Sequence, residues 1–426
     1  MAASNSTPTT PALPTPPSTP AEQTARWEWI RSQTPVMQRF TYLNCGFSGP
    51  LSLGVVEAMD QRTRLEMMDG PVTRNVQDDK MATMTRLREL GAQMIGADPD
   101  EIAVTGNTTE GVNIAVNGVD LQPGDRVVTT SIEHGGGMIP AYWARERKGA
   151  ELAIVPLSHD DGSGAMIEKF DQAIGDRSAL VIVSEISYST GQLLPMRQVI
   201  EMAHDRGATV VIDGAQTAGH IPLDVHALGV DAYAFPSHKW LCGPDGLGLL
   251  YVRKDRQADL APVKVSGRLA AEWDFDGKFV PKMDDVSKYE VSTMSTQAAA
   301  GMVVAIEQYL GHGPQAVWDR ARELTRYAEA RFDRIPGVQI RSSRAEDTRT
   351  GLFLFSADGL DATELAPWMW TAGQVVCRSV KEAGAVRLSL HVYNNEGDID
   401  RAADLVERAL REGITPPEGT GRPEEG

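Results

Sequence analysis

Lys239, in the run Ser237-His238-Lys239-Trp240, follows a short apolar stretch, and Asp213 ends an earlier one, Val210-Val211-Ile212-Asp213. A lysine at one strand end and an aspartate at another are the parts with which an α/β protein could hold an organic cofactor through a covalent imine. A buried or cation-flanked lysine loses its proton near neutrality, which suits imine formation and proton transfer. A carboxylate beside a heterocyclic nitrogen keeps that nitrogen protonated, and a protonated ring is the better electron sink. Each residue also has a plainer reading, Asp213 as the cap of the next helix and Lys239 as a solvated side chain. The glycine-rich run Cys242 to Gly248 beside the lysine lets backbone approach a bulky ring, because glycine has no Cβ.

Other polar groups fall at comparable places. Thr108 and Thr109 precede a helical stretch, where hydroxyls and free N–H groups could meet a phosphate or simply cap the helix. His134, before three glycines, could stack on a flat ring. Arg387 lies on a strand, where an arginine by itself reads as projecting to solvent. No HxH or clustered Cys/His pattern occurs, which argues against a metal centre. Neither GxGxxG nor GxxxxGK[ST] is present, so a nucleotide phosphate site has no support.

The elements that must position these groups alternate. Strands are expected at Glu101–Val104, Arg126–Thr130, Glu151–Pro156, Ala179–Ser184, Ala208–Ile212, Ala232–Phe235 and Gly248–Val252. Helices are expected at Val112–Val119, Ile139–Lys148 and Met196–Arg206, with a long helical region from Leu51 to Ile95. Apolar runs separated by helical stretches predict a largely parallel sheet covered on both faces. Its ligands gather at the C-terminal strand ends, where Thr108, Thr109, Glu133, His134, Asp213, Gln216, Ser237, His238 and Lys239 all fall. The Gly248–Val252 run follows too closely for a helical crossover and is expected to be antiparallel. After a helix from Ser295 to Leu310, helices at Gln315–Asp333 and Asp398–Arg411 and strands at Thr348–Ser356, Gln374–Arg378 and Ala385–Leu390 predict a smaller α/β unit.

A chain of 426 residues with 42% apolar side chains can bury a large core in more than one domain. Its 58 acidic against 41 basic side chains, a net charge of −17, disfavour nucleic acid and anionic membrane as partners. Cys45, Cys242 and Cys377 are widely spaced, which suits a reduced compartment. No run approaches the ~20 apolar residues of a membrane span. The Thr/Ser/Pro-rich start lacks the basic end and apolar core of a signal peptide, so the cytoplasm is expected.

Taken together, Thr108-Thr109-Glu110, Ser131-Ile132-Glu133-His134, Val211-Ile212-Asp213-Gly214-Ala215-Gln216, Ser237-His238-Lys239-Trp240 and Val386-Arg387-Leu388-Ser389 resemble the class V, or cysteine desulfurase-like, branch of the fold-type I pyridoxal phosphate enzymes. The resemblance runs from Tyr42 to about Arg411. It implies an α/β fold with a mostly parallel seven-stranded central sheet, helices on both faces and a smaller C-terminal α/β domain. The corresponding division is a disordered tail over 1–24, a segment completing the small domain over 25–50, a large cofactor domain over 51–294, a linker helix and small domain over 295–412, and a flexible tail over 413–426. It also implies pyridoxal 5′-phosphate as cofactor, with Lys239 forming the imine, Asp213 on the pyridinium nitrogen, His134 over the ring and Gln216 near its O3′. Thr108, Thr109, Ser237 and His238 become phosphate contacts. Thr293, in Glu290-Val291-Ser292-Thr293, is similar to a threonine that reaches the neighbouring subunit's phosphate, implying a homodimer with shared sites. Arg387 matches the arginine that holds the substrate α-carboxylate; Arg378, Tyr188 and Asn44 join it as substrate-binding candidates, Arg378 by narrowing the pocket or meeting a second anion.

One departure steers the expected chemistry. Desulfurases carry a catalytic cysteine a few residues beyond an arginine, whereas here Cys377 precedes Arg378 and the chain runs directly on to Arg387. The segments Thr190–Pro195 and His238–Gly246 look like those of carbon–sulfur lyases. The expected activity is therefore α,β-elimination from cysteine, cystine or a cysteine S-conjugate, with no persulfide on the enzyme. An isopenicillin N epimerase-like racemisation, an aminotransfer and a non-catalytic binding role of the same fold are the alternatives.

Overall fold

A computed structural model of the chain describes residues 19–414. Seven strands form its central sheet in the spatial order Ile102–Thr105, Gly248–Val252, Ala232–Pro236, Thr209–Asp213, Ser178–Ser184, Arg126–Thr130 and Glu151–Val155. Gly248–Val252 runs antiparallel to both neighbours. The remaining pairs are parallel. Apart from its edge strand Glu151–Val155, the sheet is buried on both faces, as a parallel sheet sandwiched by helices must be. Thus Val210 and Ile212 enter one apolar cluster and Val211 enters another on the opposite side.

A second, four-stranded antiparallel sheet has the order Val338–Ile340, Leu352–Ala357, Ala385–Ser389, Arg378–Val380. Its core, around Phe332, Phe353, Phe355 and Leu388, is separate from the clusters of the large sheet. Helices Pro314–Phe332, Ala362–Gly373 and Glu396–Glu412 belong to this unit. The long helix Thr296–His312 precedes it and packs on Leu53–Asp69 and Arg74–Ile95. No helix among the described residues is long and apolar enough to cross a membrane.

Several elements depart from the sequence reading for local reasons. Helical structure begins at Pro20 rather than beyond residue 24: Thr19 and Glu22 form a reciprocal capping box, and proline at the first helical position is pre-set for a helix. Composition had assigned those residues to a tail. The rest of that expected tail, 1–18, and 415–426 of the C-terminal one lie outside the described residues. The long helical region is two helices, broken at Gly70, whose φ is 87°, before Pro71. The expected strand Gln374–Arg378 is split: Val375–Val376 pairs in parallel with Thr41–Tyr42, whereas Arg378–Val380 joins the four-stranded sheet. Helices Ser163–Ala173 and Ala362–Gly373 and a hairpin, Ala270–Trp273 with Phe279–Pro281, were not anticipated.

Candidate active site

The C-terminal ends of the parallel strands open into a cavity of about 750 Å³ lined by Thr108, Thr109, His134, Tyr188, Asp213, Gln216, His238, Lys239, Arg378 and Arg387, with Gly46 to Ser48 along one side. Groups from the large sheet meet here because its parallel strands stop at the same edge, while Arg378 and Arg387 reach in from strands of the four-stranded sheet.

Lys239 is held by its backbone. Ser237 N–H donates to Leu247 O, Cys242 N–H to Lys239 O at 2.9 Å, and Gly243 N–H to Ser237 O at 3.0 Å, closing a tight turn. Cys242 takes a left-handed φ of 54° within it. From outside, Gly49 N–H donates to His238 O at 2.6 Å, and a Cβ on Gly49 would lie 2.1 Å from Lys239 O. Trp240 anchors the far side, donating to Gln216 Oε1 at 2.8 Å and stacking on His220 at 3.6 Å between ring centroids. Burial lowers the Lys239 ammonium to about 8; Asp213 opposes the shift, and Arg387 and Arg378 add to it.

Asp213 is buried, and its Oδ1 accepts from Ala215 N–H at 2.9 Å. His134 caps helix Gly135–Lys148: its Nδ1 accepts from Gly136 N–H at 3.1 Å, so the remaining proton of a neutral ring sits on Nε2. Burial lowers its basicity, as does the Lys239 cation; Asp213 opposes them, and both arginines add to the lowering. Its ring meets Tyr188 edge-on, with centroids 5.2 Å apart. Glu133 stands behind, accepting from Thr130 Oγ1 at 2.7 Å and Ser184 N–H at 2.9 Å, its carboxyl pushed up to about 7 by burial.

Asn107, which sequence reasoning passed over, is the cap of helix Thr108–Gly118, accepting from Glu110 N–H at 2.9 Å. An asparagine ahead of the helical run was the available signal. Thr108 and Thr109 are thereby freed from capping, and Thr108 Oγ1 is buried without a partner among the described residues. Ser237 Oγ is likewise unpartnered, but it lies behind the cavity lining, where a Cβ on Gly243 would come within 2.2 Å. His238 lines the cavity, 3.8 Å from Asp245. Gln216 donates to Gly46 O at 2.8 Å and accepts from Trp240, so its amide ties two walls together and keeps one N–H in reserve.

Arg387 is only 1% exposed. Its Nη1 donates to Tyr188 O at 3.1 Å, while Nε and Nη2 have no partner among the described residues. Burial, with Arg378 nearby, lowers it to about 9. Arg378 lies opposite Arg387 in strand register, its guanidinium 4.5 Å from the Phe47 ring centroid. Asn44 is buried beside Ser389 and is not part of the cavity lining. Thr293 is exposed outside this cavity in a left-handed conformation, φ 63°. Glu290, which precedes it, is anchored by Arg88 at 2.7 Å and by Val104 N–H at 2.9 Å.

These groups fit pyridoxal phosphate. A buried, unpartnered hydroxyl at a helix N-terminus suits a phosphate, a lysine of lowered basicity suits an aldehyde, and a buried carboxylate suits a ring nitrogen.

Comparison with known proteins agrees. The probable cysteine desulfurase 2 of Mycobacterium leprae is 30% identical over 411 residues, covering 89% of this chain and 96% of that protein. A probable cysteine desulfurase of Methanothermobacter thermautotrophicus is 28% identical over 397 residues, covering 90% and 98%. Among solved structures, the cystine C–S lyase C-DES bound to cysteine persulfide superposes with a TM-score of 0.82 at 25% identity, covering 88% of this chain and 99% of that one. The cysteine desulfurase CsdA of Escherichia coli gives 0.81 at 26%, covering 90% and 98%. Residues 51–402 match aminotransferase class V. With the match spanning most of both sheets and the cavity between their residues, the chain belongs to the aminotransferase class-V family and is a pyridoxal phosphate enzyme.

Proposed function

We propose that the protein is a carbon–sulfur lyase that eliminates a thiol or persulfide from cysteine, cystine or a cysteine S-conjugate without forming a persulfide on the enzyme. The observation that carries this reading is the placement of the thiols. None of the three lines the cavity. Cys377, the one beside Arg378, turns into the core of the smaller unit with Sγ 3.8 Å from Met369 Sδ, and burial pushes it up to about 12. Burial likewise pushes Cys45 up to about 12 and raises Cys242. A protonated, enclosed thiol is a poor nucleophile, so the sulfur leaves with the product.

Bound pyridoxal phosphate supplies the electron sink for the substrate Cα. The free N–H groups and hydroxyls at Thr108 and Thr109, with His238, would hold its phosphate, Ser237 standing behind the lining; Asp213 would face its ring nitrogen, His134 would cover the ring and Gln216 would contact its O3′. Arg387 takes the α-carboxylate on its free Nε–Nη2 edge, a side-on bidentate match that fixes the direction of the Cα–H bond. Lys239 Nζ accepts the Cα proton. The Cβ–S bond then breaks, the sulfur leaving with the electron pair, and the three-carbon remainder is hydrolysed to pyruvate and ammonia.

The exposed Thr293, on a segment pinned by Glu290, is suited to reach a second subunit's phosphate, and a homodimer with shared sites is part of this reading. Three unpaired thiols suit a reducing compartment such as the cytoplasm. Incubating the holoenzyme with cysteine, cystine, S-conjugates and their D counterparts, with products read by mass, tests the assignment. Pyruvate with a released thiol or persulfide is expected. Deuterium entering Cα with the β-substituent retained would make it an epimerase, accumulated pyridoxamine form an aminotransferase, and sulfur left on a cysteine of the protein a desulfurase.

A further inference from the structure

Asp213 and Gln216 share one turn, and the underside of that turn rests on a buried chain of hydroxyls that ends in a carboxyl. Thr217 Oγ1 lies 2.9 Å from Gly214 O and in hydrogen-bond contact with Tyr233 Oη, which in turn lies 2.6 Å from Glu185 Oε2. The Tyr233 ring fits beneath Gly214, where a Cβ would meet it at 2.1 Å. Glu185 N–H also donates to Asp213 O at 3.3 Å. None of Glu185, Thr217 and Tyr233 lines the cavity, so they reach the cofactor site only through the turn.

The surroundings of Glu185 decide its protonation state. It is 7% exposed. The titratable groups packed about it are Tyr233 from strand Ala232–Pro236, Asp213 from strand Thr209–Asp213, and Glu133, bonded to the adjoining Ser184; among the described residues no cation acts on it. Glu133 accepts from Thr130 Oγ1 and from both N–H and Oγ of Ser184, three donors that suit a carboxylate. The Glu185 carboxyl meets the Tyr233 hydroxyl alone. A buried carboxylate with one neutral partner and no counter-charge is costly. The hydrogen count agrees. An ionised Glu185 takes the Tyr233 hydrogen and leaves the single Thr217 hydrogen to serve both Tyr233 Oη and Gly214 O. A protonated Glu185 supplies the third hydrogen, and every contact then runs one way, from Glu185 to Tyr233 to Thr217 to Gly214 O.

We infer that Glu185 is a proton-bearing positioning residue, whose carboxyl hydrogen completes a relay through Tyr233 and Thr217 onto Gly214 and so fixes the turn that presents Asp213 and Gln216 to the cofactor. This role holds whichever reaction the holoenzyme catalyses.

Infrared difference spectra of the holoenzyme test the proton. Burial raises Glu185 to about 7, so a protonated-carboxyl C=O band is expected below that pH, fading as pH rises through it and missing from Glu185→Gln. If no such band disappears in Glu185→Gln, the proposal fails. Positioning is read from the cofactor's dissociation constant and from the midpoint at which the absorbance of the bound cofactor changes with pH. Thr217→Val, Tyr233→Phe and Glu185→Leu each interrupt the relay. Each is expected to weaken cofactor binding by about fivefold to tenfold, the scale of one buried hydrogen bond. Each should also move the midpoint upward, because a ring nitrogen held less firmly protonated draws less charge from the lysine nitrogen. Glu185→Gln, whose amide N–H still donates to Tyr233, should keep both values within about twofold, the limit set by retaining that bond. If Tyr233→Phe fails to fold, Thr217→Val carries the same measurement with the ring still in place under Gly214. Unchanged affinity and midpoint in Thr217→Val and Glu185→Leu would mean that the turn holds without the relay, and would overturn the role given to Glu185.

Discussion

At Lys239 the environment sets the reactivity of one nitrogen. Burial and two arginines outweigh Asp213, and the amine titrates near 8 instead of its usual value above 10. Covalent attachment of pyridoxal phosphate to the cofactor-free protein requires the neutral amine, so its rate should rise as pH increases through about 8 and then level off; stopped-flow absorbance measures it. Removing both guanidinium charges, in Arg378→Gln/Arg387→Gln, should move that midpoint upward. Lys239→Ala should abolish turnover and leave non-covalent cofactor binding detectable by fluorescence; an active Lys239→Ala enzyme would refute the role given to this side chain. Lys239, Asp213, His134 and the two threonines were legible as residues because strand ends are legible. Their partners were not: that His134 Nδ1 is spent on Gly136, or that Gln216 spans Gly46 and Trp240, follows from contacts between segments far apart in the chain.

Among the elements, two short connections position most of the site. The first is the cap at Asn107. Asn107→Ala should cost about 1 kcal/mol of stability, the usual worth of an N-cap, and should weaken cofactor affinity besides, because Thr108 and Thr109 form the first turn it fixes. Denaturant unfolding of the apo protein and a cofactor titration separate the two effects. The second is the crossing of Gly49 over the Lys239 turn. A methyl group there has no room against Lys239 O, so Gly49→Ala must displace one backbone from the other at about 1–3 kcal/mol. It should lower kcat more than the Thr108–Thr109 end of the site would suggest, since the lysine is what moves. A variant with unchanged stability and rate would show that this crossing is slack. Most strands were readable from apolar runs, Arg126–Thr130 and Gly248–Val252 to the residue. The Gln374–Arg378 stretch was not, because its two halves pair with different sheets and only the partners decide where one ends.

For the molecule as a whole, buried titratable groups make stability depend on pH. His220 stacks on Trp240, accepts from Gly351 N–H at 2.9 Å and thereby links the two sheets' segments. Burial depresses His220 and His312 to about 3 and His391 to about 4. Their stabilising contribution is complete above the unfolded value near 6.5 and is lost as pH falls toward the folded values. Glu133 and Glu185, raised to about 7 by burial, act in the opposite sense: their contribution is complete below about 4.5 and is lost as pH rises through 7. Between about pH 4.5 and 6.5 these three histidines, joined by His134 and His238, which burial also depresses, outweigh two carboxyls, so stability should fall on acidification with a slope of one proton or more, about 1.4 kcal/mol per pH unit for each. Urea titrations at pH 5 and 6.5 check this, and Glu133→Gln/Glu185→Gln should steepen the slope. A flat profile would mean that these side chains are hydrated. By itself the sequence determined the alternation of strands and helices, the strand ends that carry Lys239 and Asp213, and the displacement of Cys377 to the wrong side of Arg378, since each is written in local order. Tertiary structure alone decided that Arg378 faces Arg387 across a ladder and that Cys45 and Cys242 are turned away from the cavity. Register and side-chain direction arise from pairing between distant segments, and no local pattern encodes them.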